Sequence, residues 1–315
     1  MSTQEKEQKD LKLLMNIARA NYSMKLSIYS IIKNEEKMIR TMLESVKGAD
    51  EIVVCIDDTT TDNSEAIARE YTDKVFKFKW DDDFAKAKNE AASHCTGDWL
   101  MSMDGDLRLE EDGIAKIRTL IENTRYDLLN IELESLSHPG SVHLRGKIYK
   151  RESGLQYRGR AHEDFPRAGN THESGVLPKI YYGYSENHAK DPNRYIRILG
   201  KQVKENPESA RPRFYLAREY FYKKEYNVAI SHLEQYLKLP TNQNERVEAL
   251  FIMAQCYWFS KQGEKARKFC GEAILLNPDH APALRFMASM CAEPWKSKWA
   301  YIAKNATNKD VMFRK

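Results

Sequence analysis

Asp104 and Asp106 flank a single glycine in "SMDGDLRLEED", directly after the apolar run Trp99–Met103. Two carboxylates held this close repel each other unless water or a cation lies between them. The pair therefore has two readings: a solvated Asp-Gly-Asp turn, or a holder for a hard divalent cation, which prefers oxygen ligands. A second acidic pair, Asp57 and Asp58, closes the apolar run "EIVVCID". Two runs that each end in paired acids raise the question of what aims them at one place.

The elements around them supply an answer. "KLSIYSII", "EIVVCID", "KVFKFKW" and "DWLMSMD" are short apolar runs with β-branched or aromatic residues, and they predict strands. "NEEKMIRTMLESVK", "DNSEAIAREY" and "DFAKAKNEAASHC" lie between them with helical spacing or cap signals. Strand–helix alternation with short connections predicts an α/β fold, a mostly parallel sheet with helices on both faces. In such sheets ligands bind beyond the carboxyl ends of the strands. Asp57, Asp58, Asp104 and Asp106 all fall at those ends. Further on, "YDLLNIELES", "VHLRGKIYKR", "LQYRGRAHEDF" and "LPKIYYGYSENH" read as longer, antiparallel strands, and "PNRYIRILGKQVKEN" as a helix.

From about residue 208 the chain is helical and repetitive. Leu216-Ala217, Tyr220, Ala229 and Leu233 align with Met253-Ala254, Tyr257, Ala266 and Cys270, an offset of about 37 residues, or a unit of about 34 plus an insertion. Ala288 and Ala300 continue the phase. Small residues at these positions let paired helices approach closely. The pattern resembles tetratricopeptide repeats, and the alternative is an unrelated helical bundle. The division expected is an N-terminal helix over 1–24, the α/β domain over 25–207 and helical repeats over 208–315.

Composition bounds the rest. The 315 residues suffice for two domains, and 42% hydrophobic against 30% charged residues suits a soluble globular chain. The formal charge of +4 permits a polyanionic partner without requiring one. Five scattered cysteines form no CxxC pair, which argues against a disulfide framework or zinc site and for a reducing cytoplasm. No apolar run reaches the length of a membrane span.

Four motifs, in this order, resemble family-2 glycosyltransferases of the GT-A fold, in the branch with a C-terminal helical repeat. They are "SIIKNEEKMIRTMLESVKGADEIVVCIDDTTTDNSEAIA", "FKWDDDFAKAKNEAASHCTGDWLMSMDGD", "RAHEDF" and "ENHAKDPNR", within residues 25 to 215. The resemblance implies a nucleotide-sugar donor, with uridine diphosphate as carrier, and a divalent metal, manganese or magnesium. It places Lys33, Asn34 and Glu35 in the nucleotide-binding loop and Asp57 on the uracil or ribose. Asp83, Lys88 and Asn89 fall on the helix whose basic residue and asparagine approach the diphosphate. Asp104 is implied near the ribose, Asp106 on the metal, and His188 as the late metal-binding histidine, so that Asp104, Asp106 and His188 form the metal set of a DXD-type site. A mixed oxygen and imidazole shell favours manganese. One departure is the turn "DDTTTD", where Asp58 and Thr59 replace small residues of the family.

Sugar transfer needs a base for the acceptor hydroxyl. Within "RAHEDF" the resemblance favours Glu163, with Asp164 in reserve; a strand there would set Glu163 opposite to His162 and Asp164. Inversion in a single displacement is expected, because no nucleophile for a covalent route is evident. The acceptor class extends over glycans, peptides and hydroxymethylated DNA bases, and the repeats could bind acceptor or a protein partner. Two other functions compete. A scaffold with a degenerate transferase domain would be expected to lose one of Asp57, Asp104, Asp106 or His188, and all four are present. A nucleotidyltransferase would want a glycine-rich loop after the first strand, and "SIIKNEEK" has no glycine.

Overall fold

Runs buried on both faces suit a parallel sheet, where helices cover each side. The computed structural model describes residues 24–136, 142–166, 171–172, 178–183 and 191–306. Its strands are β1 (Leu26–Ile32), β2 (Glu51–Asp57), β3 (Val75–Phe78), β4 (Trp99–Ser102) and β5 (Leu107–Leu109). They continue with β6 (Leu128–Ser135), β7 (Val142–Lys150), β8 (Thr171–His172) and β9 (Lys179–Tyr182). The helices of this part are α1 (Ile39–Val46), α2 (Ser64–Arg69), α3 (Phe84–Ser93) and α4 (Gly113–Asn123).

Among the described residues the sheet order is β3-β2-β1-β4-β7-β6-β9-β5, with β8 beside β6. The first four strands are mutually parallel, so their carboxyl ends share one edge. β7 then runs antiparallel to β4, with Leu100 opposite Tyr149 and Met101 opposite Ile148. One face buries Leu26, Ile28, Val54, Ile56 and Met101 under Ile39, Met42, Leu43 and Val46 of α1 and Ile117 and Ile121 of α4. The other buries Tyr29, Val53, Cys55 and Leu100 under Ala85, Ala87 and Ala91 of α3. The sheet is thus covered by helices on both faces, the α/β layering that the sequence predicts.

The structure departs from the sequence reading in three places. β5 and α4 were not among the expected elements. β5 is too short to show a period, and Gly113 at the head of α4 weakens its helical signal. "LQYRGRAHEDF" is not a strand. Positive φ at Gly159 (97°) and His162 (52°) folds it back, leaving one antiparallel bridge between Arg158 and Asp164. Side-chain alternation therefore does not govern Glu163. Finally, the chain groups into one unit of Met1–Gly159 with Glu163–Asp191, and a second of Arg160–His162 with Pro192–Lys315. The helix assigned by sequence to the α/β domain thus groups with the repeats. Residues 1–23, which include nearly all of the expected N-terminal helix, lie outside the described residues, as does His188.

The second unit contains α5 (Arg194–Glu205), α6 (Ala210–Tyr222), α7 (Tyr226–Tyr236), α8 (Gln243–Phe259), α9 (Gly263–Leu276), α10 (Ala281–Ser289) and α11 (Trp295–Asn305). Consecutive helices pack in pairs, and the small residues at the repeat positions, Ala217, Ala229, Ala254 and Ala266, are fully buried. Ala288 is buried as expected, but Ala300 is exposed and Ala303 takes the inward position on α11. In this unit Arg160 pairs with Glu205 at 2.6 Å, and the His162 ring stacks on Tyr215 at 4.0 Å.

Candidate active site

The loops after β1 and β2 are tied to each other. Lys33 Nζ lies 3.0 Å from Asp57 Oδ2 and donates to Thr59 Oγ1 at 2.7 Å. The other Asp57 oxygen accepts from the Thr59 amide at 2.8 Å and its hydroxyl at 2.6 Å. Burial would raise the Asp57 pKa, but the Thr59 bonds and the Lys33 charge outweigh it and hold the carboxyl below its ordinary value. Asn34, at φ 54°, accepts from the Thr61 amide at 2.8 Å, and the Glu35 amide donates to Ser64 Oγ at 2.8 Å. Thr59, which departs from the family's small residue in "DDTTTD", is therefore what anchors Asp57.

The turn between the two acids after β4 rests on the β1 loop. A Cβ on Gly105 would fall 2.7 Å from Ile32 Cδ1 and 3.2 Å from Glu35 Cγ, so a larger residue would push those two side chains aside. This close approach sets Asp104 and Asp106 beside the loop that carries Lys33, Asn34 and Glu35.

Asp104 is half-buried between two lysines. Lys88 Nζ stands 2.9 Å from its Oδ1, and Lys147 Nζ stands 3.2 Å from its Oδ2. Lys88 also donates to Glu163 Oε1 at 2.6 Å. Four charges thus form a chain, Glu163–Lys88–Asp104–Lys147, built from α3, the β4 edge, β7 and the segment after β7. Both lysines are buried, at 5% and 6% exposure, where a lysine is rare unless paired. Burial raises the Asp104 pKa, yet the charges of Lys147 and Lys88 dominate and hold it well below the carboxylate range. Burial likewise depresses Lys88, but Asp104 and Glu163 overcome this and raise it well above an ordinary lysine. For Lys147 burial wins over Asp104 and the pKa is lowered. One lysine is compensated and the other is not.

The remaining expected residues have other partners. Asp83 caps α3, its Oδ1 accepting from the Lys86 amide at 2.9 Å. Asn89 holds the Tyr157 peptide at both ends, donating to its carbonyl at 3.0 Å and accepting from its amide at 2.9 Å. Asp164 bridges to Arg158 through its backbone, and its Oδ1 accepts from the Phe165 amide at 2.9 Å. Glu163 therefore joins the acids at the strand ends through Lys88, while Asp83 and Asn89 support α3 and the chain beneath it. Among the described residues no three His, Cys, Asp or Glu side chains gather as a metal site. Both Asp104 oxygens lie against ammonium groups, so a cation held there would displace Lys88 or Lys147 from them.

Lys147 was absent from the sequence-derived set. The one signal for it was a lysine between Gly146 and Ile148, within a run whose neighbours Ile148 and Tyr149 are fully core.

Residues 27–162 match the model for glycosyl transferase family 2, and residues 247–280 match that for a tetratricopeptide repeat. The glycosyltransferase SunS of Bacillus phage SPbeta is 23% identical over 237 residues, covering 71% of this chain and 56% of its own length. The chain thus spans a little over half the length of that relative. An uncharacterized glycosyltransferase of Rickettsia typhi is 33% identical over 88 residues, 28% of this chain and 30% of its own. Among solved structures, S. aureus TarS 1-349 in complex with UDP-GlcNAc aligns over 89% of this chain and 91% of its own, with 16% identity and a TM-score of 0.44. No helix among the described residues is long and apolar enough to cross a membrane.

Proposed function

We propose that this chain, which belongs to glycosyl transferase family 2 through residues 27–162 and carries a tetratricopeptide repeat at 247–280, transfers a sugar from a uridine-diphosphate donor to an acceptor hydroxyl. The observation that carries the reading is the junction of Lys88 with Asp104 and Glu163 at the carboxyl edge of the parallel strands. Transfer needs positive charge near the departing diphosphate and a proton acceptor near the incoming hydroxyl. Lys88 touches both requirements at once.

In this reading Asp57 and the Lys33–Glu35 loop hold the nucleoside, with Lys33 and Thr59 fixing the carboxylate of Asp57. Lys88 faces the diphosphate and orients Glu163 through Oε1. Among the described residues Glu163 Oε2 has no hydrogen-bond partner, which supports Glu163 as the base that takes the acceptor proton. Asp164 is the weaker candidate, since its carboxylate braces the Phe165 amide. A base on the acceptor side and no nucleophile placed beneath the sugar suit one inverting displacement. Asp106 and His188 would hold a divalent metal, which when bound supplies charge neutralisation at the diphosphate oxygens. Asp104, engaged by two lysines, is left out of that set. The acceptor is a hydroxyl of a glycan, a peptide or a hydroxymethylated DNA base, brought by the helical unit.

A panel of nucleotide sugars tests this without knowledge of the acceptor. Slow hydrolysis of a UDP-sugar, stimulated by manganese, is expected. No hydrolysis and no binding of any nucleotide sugar overturns the reading, and full turnover in excess chelator removes the metal from it.

A further inference from the structure

Lys147 lies on β7, a central strand hydrogen-bonded to β4 on one side and β6 on the other. Its neighbours along the strand, Ile148 and Tyr149, are core residues. An ammonium group has three N–H bonds to satisfy. Among the described residues Lys147 has one hydrogen-bond partner, Asp104 Oδ2 at 3.2 Å. That carboxylate is shared, because Lys88 takes its other oxygen at 2.9 Å. Lys88 by contrast has two carboxylates, with Glu163 at 2.6 Å, and the Tyr157 ring at 5.4 Å. The chain Glu163–Lys88–Asp104–Lys147 is neutral in sum and uneven in distribution. Its acid end is Glu163 and its basic end is Lys147. A buried ammonium with two unanswered N–H bonds is costly unless an acceptor arrives. Asp104, against which it lies, has 39% of its side chain exposed, so the pair borders open space.

Resting on the functional reading above, we propose that Lys147 is a donor-binding residue whose ammonium takes an anionic oxygen of the nucleotide sugar. The oxygen belongs to the diphosphate or to a carboxylate on the sugar. Lys147 and Lys88 then grip the ligand from the two sides of Asp104, and Asp104 keeps the two like charges close enough to act together. Without that carboxylate two buried ammonium groups would repel each other.

The test is a calorimetric titration of the full chain and of Lys147→Met with uridine, UDP, UDP-glucose and UDP-glucuronic acid. Thermal unfolding of each variant is followed alongside. The expected result is uridine affinity unchanged and UDP affinity lowered about tenfold or more, the loss of a charge-assisted bond. A loss seen with UDP-glucuronic acid alone assigns the oxygen to the sugar carboxylate. Lys147→Arg keeps the charge and restores most of the affinity. The same substitution in an Asp104→Asn background separates direct binding from indirect action. If Lys147 touches the ligand, Lys147→Met still weakens UDP there. If the loss vanishes in that background, Lys147 acts only by neutralising Asp104 and the proposal falls. It falls also if Lys147→Met binds all four ligands like the parent, or loses uridine and UDP equally. A parent chain that binds no nucleoside diphosphate, with GDP and dTDP tried as well, overturns the functional reading itself.

Discussion

Lys88 donates to Glu163 and pairs with Asp104 from a buried position on α3, so its substitution would disturb both the diphosphate side and the acceptor side of the site. Glu163→Gln keeps the shape and the bond to Lys88 while removing proton acceptance. Transfer is expected to fall by about 10²–10⁴ with donor affinity by calorimetry unchanged. Asp164→Asn should keep most activity; if it is dead while Glu163→Gln turns over, the base is Asp164. Asp106→Asn should abolish the manganese stimulation of donor hydrolysis and leave the unfolding temperature unaltered, because Asp106 is half-buried and outside the apolar core. At this scale the sequence exposed the acids and the basic residue on the early helix. It did not show that the Asn89 amide is tied to the Tyr157 peptide. Asparagine looks the same in sequence whether it binds a backbone or a phosphate.

The elements are pinned at the edge opposite the site by Glu51, the first residue of β2. Its carboxylate accepts from Ser27, from Lys74, and from the Thr96 amide at 2.7 Å and hydroxyl at 2.8 Å. Burial would raise its pKa, but the Lys74 and Ser27 bonds and those from Thr96 lower it from 4.5 to about 2. A folded pKa below the unfolded one means stability that is complete above about 4.5 and lost as the pH falls toward about 2. Urea midpoints should therefore decline across that window by about 3 kcal/mol in unfolding free energy, and Glu51→Gln should flatten the decline. An unchanged acid profile in the variant would refute the assignment. At the head of α3, Asp83→Ala removes the cap on the Lys86 amide and is expected to cost about 1 kcal/mol, read as a lower urea midpoint. The strands and helices that alternate from Leu26 to Ser102 were legible because period and capping are local. β5 and α4 were not, and the loop through His162 defeated the strand reading because nothing in the local residue types marks the positive φ that His162 adopts.

At the scale of the molecule, the acids of the candidate site lie in the sheet unit, and the exposed aromatics among the described residues, Trp258, Phe259, Trp295 and Tyr301, lie in the helical unit. Trp295 is 59% and Tyr301 72% exposed on α11, and Lys298 Nζ lies 4.6 Å from the centre of the Trp295 ring. Trp299 on the same helix is half-buried. Replacing Lys296, Lys298 and Lys304 by Gln is expected to leave donor hydrolysis within about twofold of the parent, as surface substitutions far from strain do. With a nucleic-acid acceptor the same changes reduce the salt dependence of acceptor binding, by about one in slope for each phosphate no longer neutralised. A neutral glycan or peptide acceptor leaves the slope flat in parent and variant alike. Hydrolysis abolished along with transfer would mean that α11 supports the catalytic unit. By itself the sequence determined the alternation of strands and helices, the acids at the strand ends and the helical repeat, since each is written in neighbouring residues and their period. Only the tertiary structure decided that Lys88 meets Glu163 across 75 positions and that Lys147 meets Asp104 across 43. Those pairings arise because the fold brings the helix of Lys88, the end of β4 and β7 together and draws both lysines out of water, where an ammonium is rare unless paired.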